Sequence, residues 1–180
     1  NEGELTFHPE PPAGPVHAHH NRITLTRQSL QDGWAGLYQC HTHLDAVPDA
    51  QVVFREGRIR GLEVAKTVAI GHARVEGHTV QLKNVEPGAQ LCLRAESRVV
   101  TPADGGFFVR NGPFMRSFLD GYYPMHVTLE VVLPPGEWQL FSTRPASQPG
   151  FEVQYSAGMV RADAWFSGKL RTEFHFLPGP

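Results

Sequence analysis

The chain lacks the sequence signatures of the common enzyme families. It contains no Gly-X-Ser-X-Gly, no His-Glu-X-X-His, no phosphate-binding loop and no dinucleotide-binding glycine pattern. Cys-X-X-Cys-His is also missing, which excludes covalent attachment of a c-type haem. The scattered acidic residues do not have the spacing of a calcium loop. These absences favour a binding protein over an enzyme and leave any reaction class unassigned.

Strong charge and long hydrophobic runs are lacking as well. The 180 residues carry a formal net charge of -2 at pH 7, and the sequence pI is about 6.6. A nucleic-acid-binding domain would normally show a basic patch or a high pI, so no nucleic-acid partner is expected. No apolar run is long enough to cross a bilayer, so no membrane span is expected. The hydrophobic fraction of 41% is sufficient for a real core.

Cysteine is scarce, with only Cys40 and Cys92, and both lie in apolar, strand-like segments. An even number of cysteines in an exported chain favours one disulfide, and the alternative is two separate buried thiols. Asn1 is not preceded by a methionine, which fits a secreted chain whose signal peptide has been removed but also a trimmed chain. No N-glycosylation sequon is present. The sequence therefore predicts a periplasmic or secreted protein with a Cys40–Cys92 disulfide.

Residues 1–20 differ in composition from the rest of the chain. They contain four prolines and four histidines, and proline both fixes φ and removes a backbone donor. This pattern predicts an extended arm over residues 1–20, and a histidine-rich tract of this kind can bind metal. The remaining residues, 21–180, are expected to form the folded domain.

Short alternating segments separated by turn residues predict an all-β fold, an antiparallel β-sandwich. Glu76–Gly77 and Ser167–Gly168 are expected to be the turns of two β-hairpins. In the second, Trp165 would lie opposite Leu170 and share a core face with Thr172, Phe174 and Phe176. One short helix is expected over residues 114–122. A weak linker signal at residues 110–113 leaves open a division into two packed β subdomains.

The segment Cys40-His41-Thr42-His43 is the most specific pattern in the chain. Alternate side chains of a strand share a face, so His41 and His43 should point away from Cys40. Two imidazoles on one strand face can bind a transition metal, and the usual stability order favours copper over zinc. A third ligand would come from elsewhere in the chain. The predicted metal ligands are His41, His43, His17, His19 and His20, with Asp45, His72 or a methionine as further candidates for the third position.

Aromatic residues suggest a second function. The segment from Phe114 to Pro124 is rich in aromatic side chains and has the composition of a loop that contacts a partner. Packing over an open end of the sandwich is the commoner explanation of such a cluster. The alternative to metal binding is therefore a non-enzymatic interaction module that engages a protein or a glycan through this loop.

Overall fold

A computed structural model describes residues 3–180 of the chain. Nearly all regular structure is β-strand, and within the described residues no helix is long and apolar enough to cross a membrane. The strands are β1 Thr6–Phe7, β2 Ala18–Thr24, β3 Trp34–Thr42, β4 Asp49–Val53, β5 Ile59–Glu76, β6 Thr79–Arg98, β7 Val100–Ala103, β8 Gly106–Phe114, β9 Ser117–Phe118, β10 Gly121–Tyr122, β11 Met125–Val132, β12 Trp138–Arg144, β13 Phe151–Ser156, β14 Met159–Ser167 and β15 Leu170–Pro178, and the one helix is α1 Ser29–Asp32.

The strands form a nine-stranded sheet, a four-stranded sheet and a small hairpin. The large sheet has the order β1-β14-β11-β2-β3-β6-β4, with β13 also paired to β14 and β5 to β6, and the four-stranded sheet has the order β12-β15-β8-β7. All pairs are antiparallel except β2 with β11, which is parallel. The predicted all-β fold with one short helix is thus confirmed.

One apolar core lies between the two sheets. It joins Ile23, Leu129 and Phe166 of the large sheet to Phe107, Phe174 and other residues of the small one. This face-to-face packing of two sheets is that of a β-sandwich. Residues from both sides of the linker signal at 110–113 meet in this core, so the two regions do not pack as separate units.

A second apolar cluster lies under the long hairpin of β5 and β6. Its fully buried residues are Val80, Leu82, Val85, Ala89, Leu91 and Leu93. The hairpin loop is Gly77–His78, because Glu76 pairs with Thr79, so the turn lies one residue beyond its predicted position. Gly77 has a φ of 62°, a backbone conformation that glycine adopts without steric cost.

The predicted disulfide between Cys40 and Cys92 is confirmed. The two cysteines lie directly opposite each other on β3 and β6, and their Cα atoms are 4.1 Å apart. The bond closes a sequence separation of 52 residues. It therefore joins two central strands of the large sheet.

Three local predictions from the sequence are wrong. Residues 114–122 contain the end of β8 and the β9–β10 hairpin instead of a helix. The segment around Ser167–Gly168 is a crossover between sheets, because β14 pairs in the large sheet and β15 in the small one. Thr172, Phe174 and Phe176 do form a buried face, but Trp165 is not part of it. The alternation of apolar and polar residues shows which side chains share a face of a strand, but not which strand lies beside it. This explains why the hairpin at Ser167–Gly168 and the place of Trp165 were both predicted wrongly.

The predicted arm also ends earlier than residue 20. Ala18, His19 and His20 are the first residues of β2, a central strand held between β3 and β11. Residues 6–7 form the edge strand β1 on β14. The parallel pairing of β2 with β11 joins segments about a hundred residues apart, and local composition does not report such a contact.

Candidate functional site

A cluster of three histidines lies at one end of the sandwich, on the core-facing side of the large sheet. The core-facing residues of β2 are His19, Asn21 and Ile23, and those of β3 are Leu37, Gln39 and His41. His19 pairs with His41 and Asn21 with Gln39 across the two strands. The interior surface of these strands therefore changes from apolar to polar toward one end. The histidine cluster is defined here as His17, His19 and His41.

The cluster is enclosed by apolar neighbours on both sides. On β11, His19 lies opposite Val127 of the sandwich core, and on β6, His41 lies opposite Leu91 of the second apolar cluster. His19 and His41 are 6% and 4% exposed, and His17 is half-buried. The histidines thus occupy the boundary between two hydrophobic clusters, where unpaired polar groups would be costly.

The three imidazoles are close enough to act as one group. The ring centroids of His19 and His41 are 4.9 Å apart and stacked, and those of His17 and His41 are 5.2 Å apart. Nε2 of His17 lies 2.9 Å from Nδ1 of His41. These two nitrogens are the closest pair of histidine ring atoms for which a contact is described.

Two buried amides connect the inner sides of His19 and His41. His41 Nε2 lies 2.7 Å from Gln39 Oε1, and Gln39 Nε2 donates to Asn21 Oδ1 at 2.6 Å. Asn21 Nδ2 in turn lies 2.9 Å from His19 Nδ1. The polar groups of this buried ladder are therefore paired with one another, as buried polar groups must be.

All three histidines are held in the neutral form. Burial, followed by the positive charge of Arg116, lowers the pKa of His17 from 6.5 to about 4. Burial also lowers the pKa of His19 to about 3, with a further contribution from His17. For His41, burial and then the two neighbouring histidines lower the pKa well below 6.5. Neutral imidazole is the form that binds metal ions, so the cluster needs no deprotonation near pH 7.

The β8–β9 connection covers the cluster. The ring of Phe114, the last residue of β8, lies 5.3 Å from that of His19. Arg116 Nε donates to Asp45 Oδ2 at 3.1 Å, and this ion pair lies beside His17. Asp45 is one of the residues that the sequence offers as a third ligand. Its carboxylate is instead engaged with the guanidinium group of Arg116.

Two of the five predicted metal ligands lie outside the cluster. β3 ends at Thr42, and His43 follows it with a φ of 53° and an exposed side chain, so His43 does not share the strand face of His41. His20 points to the opposite face of β2, where it contacts the carboxylate of Glu130. The structure thus brings together His17, His19 and His41 but not His43 or His20.

Within residues 3–180, no group of three or more histidine, cysteine, aspartate or glutamate side chains is arranged to hold a metal ion. The close contact within the histidine cluster involves only two ring nitrogens, one from His17 and one from His41. The buried amides Asn21 and Gln39 were not identified from the sequence. Their position two residues from a histidine on each strand was the available signal, because alternate residues share a face.

The β9–β10 hairpin, together with Met115 just before it, carries exposed apolar side chains. Leu119 is fully exposed at its tip, and Met115 and Phe118 are nearly half exposed. Arg116 stacks on the rings of Phe118 and Tyr123, at 5.8 and 5.3 Å from their centroids. The predicted aromatic loop is therefore partly a packed cover and partly an exposed tip.

Comparisons with protein-family models, with curated proteins and with solved structures return no match to this chain.

Proposed function

We propose that the protein binds a transition-metal ion at the histidine cluster, with copper as the first candidate and zinc as the second. The observation that carries the proposal is the 2.9 Å separation between His17 Nε2 and His41 Nδ1. Both rings are neutral near pH 7, and the contact between them is a hydrogen bond, so His17 must carry its proton on Nδ1 before both nitrogens can offer a lone pair to an ion. An apolar surround with a few buried polar groups is also typical of ligand sites.

The preference for copper follows from the general stability order, which places copper above zinc at a nitrogen site. The 2.9 Å separation is the length of a hydrogen bond between the two rings, so the His17 ring must turn or change its tautomer before both nitrogens bind one ion.

Gln39 supports His41 in the way that metal-binding histidines are usually supported. A ligating histidine commonly donates its second ring N–H to a carbonyl or carboxylate, which fixes the orientation of the ring. Gln39 Oε1 lies 2.7 Å from His41 Nε2 and leaves Nδ1 directed toward His17. The proposal includes export to the periplasm or beyond, which is supported by the disulfide because such bonds persist in oxidising compartments.

The test is a titration of the full chain with Cu(II) and with Zn(II), followed by calorimetry. We expect one tight equivalent of Cu(II) and weaker binding of Zn(II). The double change His17→Ala and His41→Gln should weaken Cu(II) binding by at least about 100-fold, because both ligand nitrogens are removed. Glutamine at position 41 retains a donor for Gln39, so the buried ladder stays paired.

The matched control is the double change His43→Ala and His72→Ala. It also removes two imidazoles, but both side chains are exposed and lie outside the cluster. Copper binding by this control should equal that of the unchanged protein. If the control loses the tight equivalent, or if the cluster double variant retains it, the proposed site is incorrect.

A second candidate function is an interaction module that uses the tip of the β9–β10 hairpin. The observation that favours it is the exposure of Met115, Phe118 and Leu119. Two of these three side chains are aliphatic or thioether groups, which suit a protein partner better than the ring faces of a glycan. If the exposed tip is kept for binding a partner, its side chains should contribute little to the stability of the fold.

We expect the double change Phe118→Ser and Leu119→Ser to leave the melting temperature within about 2 °C of that of the unchanged protein. Exposed side chains contribute little to stability, since surface substitutions usually change it by less than about 0.5 kcal/mol. Differential scanning calorimetry measures the effect. A fall of 5 °C or more would show that the tip packs as part of the fold.

A further inference from the structure

The amide of Asn21 has its orientation set by a backbone group. Its Nδ2 atom lies 3.4 Å from the carbonyl oxygen of Thr128 and 2.9 Å from His19 Nδ1. A carbonyl oxygen can only accept a hydrogen bond, so the Asn21 atom that faces it must be the NH2 group. Turning the amide over would place two oxygens in contact in a buried site where neither could be satisfied.

The orientation of Asn21 determines the orientation of the next amide. With its NH2 toward Thr128, Asn21 presents Oδ1 to Gln39, whose Nε2 lies 2.6 Å away and must donate. Gln39 therefore presents Oε1 to His41 Nε2 at 2.7 Å, and that nitrogen must carry the proton. A neutral imidazole has only one N–H, so Nδ1 of His41 carries a lone pair, which accepts a hydrogen bond from His17 Nε2 at 2.9 Å in the metal-free protein.

The same reasoning assigns the proton of His19. Asn21 Nδ2 donates to His19 Nδ1, so this nitrogen is unprotonated in the neutral ring. The proton of His19 must then lie on Nε2, the nitrogen on the side of the ring away from Asn21. His19 and His41 are therefore the same tautomer, with the proton on Nε2. The N–H of His41 points to the amides, whereas it is the lone pair of His19 that points to them.

We propose that the Thr128 carbonyl, acting through Asn21 and Gln39, sets His41 to offer a ligand nitrogen and His19 to offer an N–H donor. The tautomers follow from hydrogen bonding alone. The consequence for metal binding rests on the proposed function: the ion replaces the hydrogen bond between His17 and His41, the His17 proton moves to its Nδ1, and His19 is a positioning residue that hydrogen-bonds to a further ligand of the ion. Two protein nitrogens leave positions open on a four-coordinate ion. The further ligand would be a small anion with an oxygen donor, which can both bind the ion and accept a hydrogen bond from the N–H of His19.

The tautomers can be measured on the metal-free protein at pH 7 by long-range proton–nitrogen NMR correlation of ¹⁵N-labelled histidine. We expect His19 and His41 both to be protonated on Nε2 and bare on Nδ1. Protonation of either ring on Nδ1 would overturn the inference, because it would require the amides to be oriented the other way. This measurement needs no metal, so it decides the hydrogen-bond assignment even if the protein binds none.

The variant Asn21→Asp tests the metal consequence. A carboxylate accepts from both sides, so it should move the His19 proton to Nδ1 and free Nε2 as a third ligand nitrogen. It also places a carboxylate oxygen against the Thr128 carbonyl, where neither oxygen has a donor, so we expect the variant to be less stable than the unchanged protein. We expect Cu(II) to bind at least tenfold tighter, and its electron paramagnetic resonance spectrum to change from two coordinated nitrogens to three. The matched control Asn84→Asp introduces the same charge at an exposed position and should change neither property.

Three coordinated nitrogens in the unchanged protein would show that His19 is a ligand and would overturn its assignment as a donor. Loss of copper binding in a folded Asn21→Asp variant would do the same. If Asn21→Asp fails to fold, the nitrogen count of the unchanged protein still decides between the two roles. If no form of the protein binds copper, the proposed function fails. The NMR measurement then still decides whether the Thr128 carbonyl, through Asn21 and Gln39, places the protons of His19 and His41 on Nε2.

Discussion

Acidification from pH 7 to pH 4.5 is expected to lower the free energy of unfolding by several kcal/mol. The three histidines of the cluster are neutral in the folded protein, because burial lowers the pKa of His17 to about 4 and of His19 to about 3 and acts on His41 in the same direction. In the unfolded chain their pKa returns to about 6.5. Below that pH the unfolded state binds more protons, so stability falls as the pH falls.

The size of the effect follows from the same values. For His17, the difference between 6.5 and about 4 corresponds to roughly 3 kcal/mol at 1.36 kcal/mol per pKa unit, and a large part of it develops by pH 4.5. His19 and His41 add to this loss, although not independently, because each lowers the pKa of its neighbours. Urea unfolding followed by circular dichroism at several pH values measures the dependence.

The loss of stability between pH 7 and 4.5 does not include the contribution of Asp163, a carboxylate whose pKa is strongly lowered. A hydrogen bond from His126, opposed by burial and aided by Arg161 and Thr128, holds the pKa of Asp163 below its usual range. Its contribution is fully present above the unfolded pKa of about 3.8 and is lost only below that value. Asp163 therefore contributes little to a change between pH 7 and 4.5.

The variant His72→Ala is the matched control for the acid effect. It removes an exposed histidine from β5, outside the cluster, and so measures what the loss of an imidazole does apart from the cluster. His17→Ala should reduce the dependence by about one proton over the same range. A free energy of unfolding that stays constant from pH 7 to 4.5 would show that the cluster is accessible to protons in the folded state.

The face of β3 that carries His41 could be predicted from the sequence, but not what covers it. Strand alternation correctly separates Gln39 and His41 from Cys40. It does not reveal that this face lies against the core, because the covering residue Phe114 belongs to the other sheet and follows 73 positions after His41. Burial of a strand face depends on non-local packing, which is absent from a local pattern.

The membership of the histidine cluster illustrates the same limit. The histidine-rich arm predicts His17 and His19 as ligands, and they join His41 because β2 is inserted between β3 and β11. A strand that continues past Thr42 would place His43 beside His41, but the chain turns after Thr42. Composition identified the right kind of residue, and only the strand pairing determines which ones meet.

Removing the disulfide should cost about 4 kcal/mol, the second large effect expected of this chain. The bond between Cys40 and Cys92 closes a sequence separation of 52 residues, and the chain-entropy relation gives this value for such a loop. The double change Cys40→Ala and Cys92→Ala should therefore lower the melting temperature by roughly 10 °C, at 2–4 °C per kcal/mol for a chain of this size. Calorimetry of the variant, beside the unchanged protein with and without a reductant, measures the loss.

The position of the bond also predicts an effect on the histidine cluster. Cys40 lies between Gln39 and His41, so the disulfide ties β3 to β6 directly behind the two side chains that point into the cluster. Without this link we expect weaker copper binding as well as lower stability, because the ladder from His41 to His19 depends on the register of β3. The control Thr42→Ala changes a neighbouring residue on the same outer face and should alter neither quantity by more than about 1 kcal/mol. A disulfide-free variant that keeps its melting temperature within 2 °C would show that the packing of β3 and β6 alone fixes this register.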